Sequence, residues 1–218
     1  MSGKRLAWYD LCMAFPRSHR PGSDGERALQ GQLGSTDRAD RFYDEQVLDH
    51  LNPLMRSFVR RQRMFFLATA DASGACDNTL RAGPPGFLSV LDSRTLAWPE
   101  FRGNGVMASM GNIAENPQVG LLLVDFIEDT VGLHVNGRAA LVDVATMAKA
   151  GVRADSPAGG TARLWVRVDV EEAYIHCSKH IPLLAEAPAG ENATVRRSRT
   201  VDYFGAAASC RRDDEAAS

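Results

Sequence analysis

The sequence predicts a mainly β protein, an antiparallel barrel with few helices. Three observations support this class. Six or seven short segments have strand character, tight turns join most of them, and one longer helical segment lies among them. A doubly wound sheet would instead need a helix after nearly every strand. Closing the sheet into a barrel also removes exposed strand edges.

The overall composition is that of an ordinary globular protein. The 218 residues are 44% hydrophobic and 24% charged, and the formal net charge is -2. This charge gives no support for nucleic-acid binding, and no apolar run reaches the ~20 residues of a membrane-spanning helix. A polar N-terminal region and four widely spaced cysteines (Cys12, Cys76, Cys177 and Cys210) predict a cytoplasmic protein with reduced thiols.

The chain is predicted to have three parts. Residues 1–43 lack periodic apolar residues and are rich in Gly, Ser, Arg and Asp, which is typical of a partly flexible arm. Residues 44–182 contain the barrel, and residues 183–218 form a tail. Helical spacing begins at Asp44 and continues through Leu51, and Asn52-Pro53 predicts the cap and first residue of a second helix.

The barrel region contains the strand-like segments in close succession. We predict strands over residues 64–70, 76–82, 87–91, 96–98, 119–124, 131–144 and 164–175, with helices over 106–116 and 145–150. Pro99 is expected to end the fourth strand, because proline cannot donate to a ladder. Gly137, inside the sixth strand, predicts a bulge or a close backbone contact.

The sharpest chemical signal is the loop Arg-Gly-Asn-Gly at residues 102–105. Its glycines leave backbone N–H groups free to point outwards, Arg102 offers a forked set of donors, and the following helix contributes its N-terminal dipole. Asn104 and Ser109 add neutral donors. This combination predicts an anion site. The alternative is a structural turn before a capped helix.

Two further residues extend the predicted site. Arg81 lies on a mostly apolar strand, where a guanidinium must meet either water or an anion. Trp98 is a candidate to lie against the flat ring of a ligand, although a tryptophan on a strand is more often part of the core. The loop also matches GxGxxA, with Asp125 beyond it, but residues 99–102 and the surrounding hairpins disfavour a dinucleotide-binding unit.

No set of catalytic or metal-ligating side chains is evident. His134, His176 and His180 do not have the spacing of a metal site. His134 fits the alternating pattern of its strand, which is typical of a hydrogen-bonded histidine within a sheet. Paired carboxylates and a Ser-His-Asp arrangement are also not apparent. No catalytic residue is therefore assigned, and the chemistry of an enzyme with this sequence would come from a bound cofactor.

Several strings in order resemble the pyridoxamine 5'-phosphate oxidase-like family of FMN-binding split barrels. They are FFLATADASG, LRAGPPGFLSVLD, TLAWPEFRGNG, GNIAENPQVGLLLVDF, LHVNGRAALV and YIHCSKHIP, and the resemblance covers roughly residues 48–182. The resemblance implies a six-stranded antiparallel Greek-key split barrel, a homodimer, and FMN at the subunit interface.

The resemblance also implies which residues hold the cofactor. The matching positions are Arg81, Trp98, Pro99, Arg102, Gly103, Asn104 and Ser109. The arginines, the loop residues and the serine match phosphate contacts, whereas the Trp-Pro pair matches residues beside the isoalloxazine. Residues 174–180 resemble a segment that approaches the flavin from the partner subunit.

These features predict an FMN-dependent oxidoreductase, with a small-molecule substrate or a reduced nicotinamide as its reaction partner. Residues 183–218 lack the Trp-containing segment and the Arg/His motif with which pyridoxamine phosphate oxidases bind substrate, so oxidation of a B6 vitamer is not expected. The alternatives are a flavin-binding carrier or sensor without turnover, and a split barrel that binds deazaflavin or haem.

Overall fold

The computed structural model describes residues 21–152 and 161–186, and the fold is mainly β. The helices are α1 (Asp24–Leu33), α2 (Thr36–Gln46), α3 (Pro53–Arg61), α4 (Ala108–Glu115), α5 (Val144–Lys149) and a 3-10 helix (Ser178–His180). The strands are β1 (Met64–Ala70), β2 (Cys76–Ala82), β3 (Ser89–Val90), β4 (Thr95–Glu100), β5 (Gln118–Val124), β6 (Gly132–Val142) and β7 (Leu164–His176).

The described residues fall into two compact units. The first comprises residues 21–124, 132–152 and 161–177 and contains the whole sheet. The second comprises residues 125–131 and 178–186, joined by a backbone bond from Leu184 N to Phe126 O of 2.7 Å. Residues 1–20 of the predicted arm and 187–218 of the predicted tail lie outside the described residues.

The strands form one antiparallel sheet in the order β2-β1-β5-β6-β7-β4-β3. The predicted antiparallel β class is thus confirmed. Within residues 21–152 and 161–186 the sheet has seven strands rather than the six that the resemblance implied, because the two-residue β3 pairs with β4. Strands β1 and β5 are neighbours although β2, β3 and β4 separate them in sequence, as are β4 and β7, and such pairings characterise a Greek key.

Much of the core lies on the inward-facing side of β1 and β5, and β4 is buried at every position. Strand side chains alternate across a sheet, and the inward-facing positions of β1 and β5 are Phe65, Leu67, Leu121 and Leu123, all buried. The register of β6 on β7 shifts between Asn136 and Gly137, which pair with Glu172 and Val170, so the extra residue of the bulge is Glu171 of β7 and Gly137 lies beside it on the partner strand. The close backbone contact predicted at this glycine is present, because a Cβ there would lie 2.2 Å from the Asp169 carbonyl oxygen.

The N-terminal part contains helical structure that the local sequence pattern did not indicate, and one predicted helix is shorter than expected. Residues 24–46, most of them assigned to a flexible arm, form α1 and α2. Neither helix buries a residue, so no apolar periodicity marks them. Helix α2 ends at Gln46, and the helix predicted through Leu51 is instead extended chain, with Leu48 bridging Ala173. The next helix begins as predicted, with Asn52 Oδ1 accepting the backbone N–H of Met55 at 2.9 Å.

Strand β4 also differs from its prediction. It runs through Pro99 to Glu100, and Pro99 pairs with Trp165 of β7. Strand β3 reaches Leu96 and Ala97 but not Pro99, so the proline lies where β4 is a sheet edge, a position that tolerates a missing N–H. The extra length matters for function, because it carries Glu100 into a cleft.

Candidate functional site

The seven residues predicted to bind a cofactor line one cleft of about 490 Å³. They are Arg81, Trp98, Pro99, Arg102, Gly103, Asn104 and Ser109. Strand β2 forms one wall, the end of β4 and the following loop form another, and the first turn of α4 completes the lining. The sequence pattern therefore identified residues that are far apart in the chain and adjacent in the fold.

Strand β2 directs every second side chain towards the cleft. Asp77, Thr79 and Arg81 line it and are half-buried, whereas the intervening residues of the strand are exposed. The Arg81 guanidinium is held by its own strand, because Nη1 donates to Thr79 Oγ1 at 2.9 Å. The side chain is thus fixed in the cleft wall.

Glu100 is the principal partner of Arg81. Nε of Arg81 donates to Oε1 of Glu100 at 2.6 Å, and Nε1 of Trp98 donates to the same oxygen at 2.7 Å. The two side chains of this ion pair have little exposure to solvent, 10% for Glu100 and 19% for Arg81. The anion that Arg81 was expected to need is therefore present within the protein.

Sequence reasoning missed Glu100 because β4 was expected to stop at Pro99. A signal was available: Trp98 and Glu100 are two residues apart, so an uninterrupted strand places them on one face. Asp77 was missed as well. It lies two strand positions from Thr79 and four from Arg81, which places all three on one face of β2 by the same alternation.

Trp98 belongs to the core. It is 1% exposed, and its ring meets that of Phe65 edge-on with centroids 5.1 Å apart. Its indole N–H, bonded to Glu100, is the part that faces the cleft wall. Trp98 is thus a core residue, which is the alternative that the sequence analysis gave for it.

The Arg-Gly-Asn-Gly loop forms a tight turn at the cleft. Gly103 and Gly105 have φ of 51° and 85°, the left-handed region that glycine adopts without strain. Gly105 N donates to Arg102 O at 3.1 Å, and Val106 N donates to Asn104 Oδ1 at 3.0 Å. The Arg102 side chain is exposed, so its guanidinium is accessible to a ligand.

Helix α4 begins two residues later than predicted. Val106 and Met107 precede it, and Met107 is its N-cap with φ 58°. No side chain caps the helix, so the N–H groups of its first turn are available to an acceptor in the cleft. Ser109, 5% exposed, makes only a long hydrogen bond to Asp77 Oδ2 of 3.4 Å.

The charges in the cleft lining balance. Arg81 and Arg102 are opposed by Asp77 and Glu100. The sequence predicted an anion site with two arginines, whereas the cleft lining in the structure has equal numbers of cationic and anionic side chains. Attraction for an anion therefore depends on the detailed positions of the N–H donors, because net charge does not supply it.

A second cluster of polar side chains lies on β6 and β7. His134 Nε2 is 3.0 Å from His176 Nδ1, and the His134 ring stacks on Tyr174 with centroids 4.8 Å apart. Burial and the neighbouring His176 lower the pKa of His134. Within the part of the chain that the structure describes, no group of three or more metal-ligating side chains is suited to a metal, and no helix could span a membrane.

The comparisons with known proteins agree with this fold. The family model for pyridoxamine 5'-phosphate oxidase matches residues 51–177, more than half of the chain. A comparison with curated proteins finds no match.

Three solved structures are similar to the chain. A HupZ protein of Group A Streptococcus is 18% identical, with 58% of this chain and 99% of that chain covered and a TM-score of 0.45. A Lactobacillus delbrueckii protein described as a pyridoxamine 5'-phosphate oxidase is 23% identical, with coverages of 59% and 98% and a TM-score of 0.43. The heme storage protein HutZ of Vibrio cholerae is 15% identical, with coverages of 57% and 94% and a TM-score of 0.37. With its antiparallel sheet and the family match over residues 51–177, the chain belongs to the pyridoxamine 5'-phosphate oxidase family.

Proposed function

We propose that this protein is an FMN-binding flavoprotein, and that it acts as an oxidoreductase through the bound flavin. The observation that carries the proposal is the convergence of Arg81, Arg102, Ser109 and the uncapped start of α4 on one cleft, in a chain of this family. Guanidinium groups, a hydroxyl and helical N–H groups are the donors that proteins use for phosphate.

The cleft fits such a ligand in size and in donor chemistry. Its volume of about 490 Å³ is within the ~300–1,000 Å³ of small-molecule sites. The hydrogen bonds of Arg81 to Glu100 and Thr79 involve Nε and Nη1, which leaves Nη2 to contact a phosphate. Ser109 can exchange its long bond to Asp77 for a shorter one to a phosphate oxygen.

When bound, FMN supplies hydride or electron transfer. The residues of this chain would anchor the phosphate and orient the ring. The fixed guanidinium of Arg81 defines one end of the ligand, because Thr79 and Glu100 restrict its rotamers. The reaction partner is a small organic substrate or a reduced nicotinamide, and the cytoplasm is the proposed compartment.

A homodimer is part of the proposal, with the flavin at the subunit interface. The outward face of β1 and β2 supports it: Met64 and Leu80 are 37% and 52% exposed, and the register of β1 on β2 places Phe66 opposite Leu80. Apolar side chains grouped on a strand surface are typical of an interaction face. Sedimentation equilibrium of the purified protein would give the molecular mass, and a monomer at all concentrations would contradict the dimer.

The central experiment identifies the bound molecule and then its chemistry. The full chain is purified, and its absorbance and the mass of any released small molecule are measured. After addition of FMN, NADH or NADPH is supplied without oxygen, and air is then admitted. Loss of flavin absorbance and its return in air would support the oxidoreductase. Binding without reduction by either donor would support a carrier or sensor, and a released haem or deazaflavin would replace FMN as the cofactor.

A further inference from the structure

We infer that Glu100 is a specificity-determining residue, whose charge limits how strongly the cleft prefers a phosphorylated flavin over the same flavin without phosphate. The inference rests on the proposed function, because it assumes that the cleft binds a flavin. It assigns a role to a residue that anchors neither phosphate nor ring and that sequence patterns did not identify.

The position of Glu100 makes its charge effective. The side chain is 10% exposed and lines the cleft, so water screens it less than a surface carboxylate. Arg81 Nε and Trp98 Nε1 both donate to Oε1, at 2.6 and 2.7 Å. These two donors hold the carboxylate beside the guanidinium that the phosphate would contact.

A phosphate that approaches Arg81 therefore approaches Glu100 as well. Attraction to the guanidinium is offset by repulsion from the carboxylate bonded to it, since Arg81 Nε and Glu100 Oε1 are only 2.6 Å apart. Arg102 and Asp77 are the other charged residues of the lining. A flavin without phosphate carries no such charge, so Glu100 leaves its binding almost unaffected.

The substitution Glu100→Gln isolates the charge from the shape. The glutamine carbonyl oxygen can accept the same two hydrogen bonds from Arg81 and Trp98, while the negative charge is lost. We expect Glu100→Gln to bind FMN about tenfold tighter or more. The affinity for riboflavin should change by less than about twofold, which follows from the absence of a charged group on that ligand.

The experiment measures dissociation constants of FMN and riboflavin by quenching of flavin fluorescence, for wild type and Glu100→Gln, at low salt and again at raised salt. Asp169→Asn is the matched control. It also removes one carboxylate that is bonded to an arginine, Arg167, but Asp169 does not line the cleft. The control should leave both affinities unchanged, and the gain of Glu100→Gln for FMN should shrink as salt is raised.

Three outcomes would overturn the inference. Unchanged or weaker FMN binding by Glu100→Gln would show that the carboxylate only positions Arg81. An equal gain of Glu100→Gln for FMN and for riboflavin would show that the carboxylate does not act through the phosphate charge. If wild type binds neither flavin, both this inference and the proposed function fail, whereas the first two outcomes leave the proposed function intact.

Discussion

Arg81 Nε lies 2.6 Å from Glu100 Oε1, and this ion pair joins β2 to β4 across the wall of the candidate site. Strand β2 is the first and β4 the next-to-last strand in the hydrogen-bonded order of the sheet, with β1, β5, β6 and β7 between them. This largely buried ion pair thus connects two strands that are not neighbours in the backbone ladder. The ion pair affects both ligand binding and stability, and the two effects can be measured separately.

Arg81→Ala is expected to weaken FMN binding by about 1.5–3 kcal/mol, the scale of a hydrogen bond to a charged group. In dissociation constants this is roughly 10- to 150-fold. Arg167→Ala is the control, because Arg167 is also paired with a carboxylate but lies outside the cleft. Equal FMN affinities of wild type and Arg81→Ala would remove this arginine from the phosphate site.

Arg81→Ala is also expected to lower the free energy of unfolding by about 2 kcal/mol or more, because it leaves the Glu100 carboxylate buried without its charge partner. The double variant Arg81→Ala/Glu100→Gln should recover part of this stability and part of the FMN affinity, because the second substitution removes the unpaired carboxylate charge from the cleft. Urea denaturation followed by circular dichroism measures the first effect. Recovery of neither property by the second substitution would contradict an energetic coupling between the two residues.

Gly137→Ala is expected to destabilise the fold by about 3 kcal/mol or more. The added Cβ would lie 2.2 Å from the Asp169 carbonyl oxygen and 3.1 Å from the carbonyl carbon, and backbone atoms cannot rotate away as a side chain does. Gly111→Ala is the matched control. It has open space around the new methyl group and lies within α4, so its free energy of unfolding should be unchanged or raised by up to about 1 kcal/mol.

The stability of the protein is expected to fall as the pH is lowered through the range in which an unfolded histidine becomes protonated. Burial, and then the neighbouring His176, hold the pKa of His134 below its ordinary value of 6.5. The unfolded chain therefore binds a proton at a higher pH than the folded chain does, and stability rises with pH in that window. Above the unfolded pKa both forms are neutral and this contribution is constant.

His134→Gln should reduce this dependence, and His176→Gln should reduce it in part, since it removes the second cause of the lowered pKa. Free energies of unfolding at several pH values between about 5 and 8 provide the measurement. His50→Gln is the control, because His50 pairs with Asp49 away from this cluster. An identical pH profile for wild type and His134→Gln would exclude His134 as the titrating group.

Trp98→Phe is expected to lower the free energy of unfolding by about 1–3 kcal/mol, because it removes a buried donor to a carboxylate. In the Glu100→Gln background the same substitution should cost less, since the acceptor is then neutral. The difference between the two backgrounds is the coupling free energy of the Trp98–Glu100 bond. Equal costs in both backgrounds would show that Trp98 stabilises the fold by packing alone.

Local signals in the sequence predicted the elements that depend on neighbours in the chain. The bounds of β1 and β2 agree with the predicted residues 64–70 and 76–82, since period-two alternation and an intervening turn specify a hairpin. Asn52 caps α3 as expected, because capping involves residues three apart. The glycine loop and Ser109, predicted from the sequence as parts of an anion site, line the cleft.

The predictions that failed concern features whose cause is distant in sequence or invisible to hydrophobic periodicity. Helices α1 and α2 bury no residue, so apolar spacing does not reveal them. Strand β4 continues through Pro99 because β7 supports it on one side while β3 ends earlier on the other. That arrangement depends on how β3, β4 and β7 align, which no local pattern encodes.

By itself, the sequence determined the antiparallel β class, the family and seven of the residues that line the cleft, because residue type and spacing are local properties. Tertiary structure alone decided the charge of that cleft. Arg81 and Glu100 are 19 residues apart in the chain, and only the folding of β2 against the end of β4 brings their charges into contact. Electrostatic interactions depend on distance in space, so the attraction of an arginine for an anion depends on whether the fold places a carboxylate beside it.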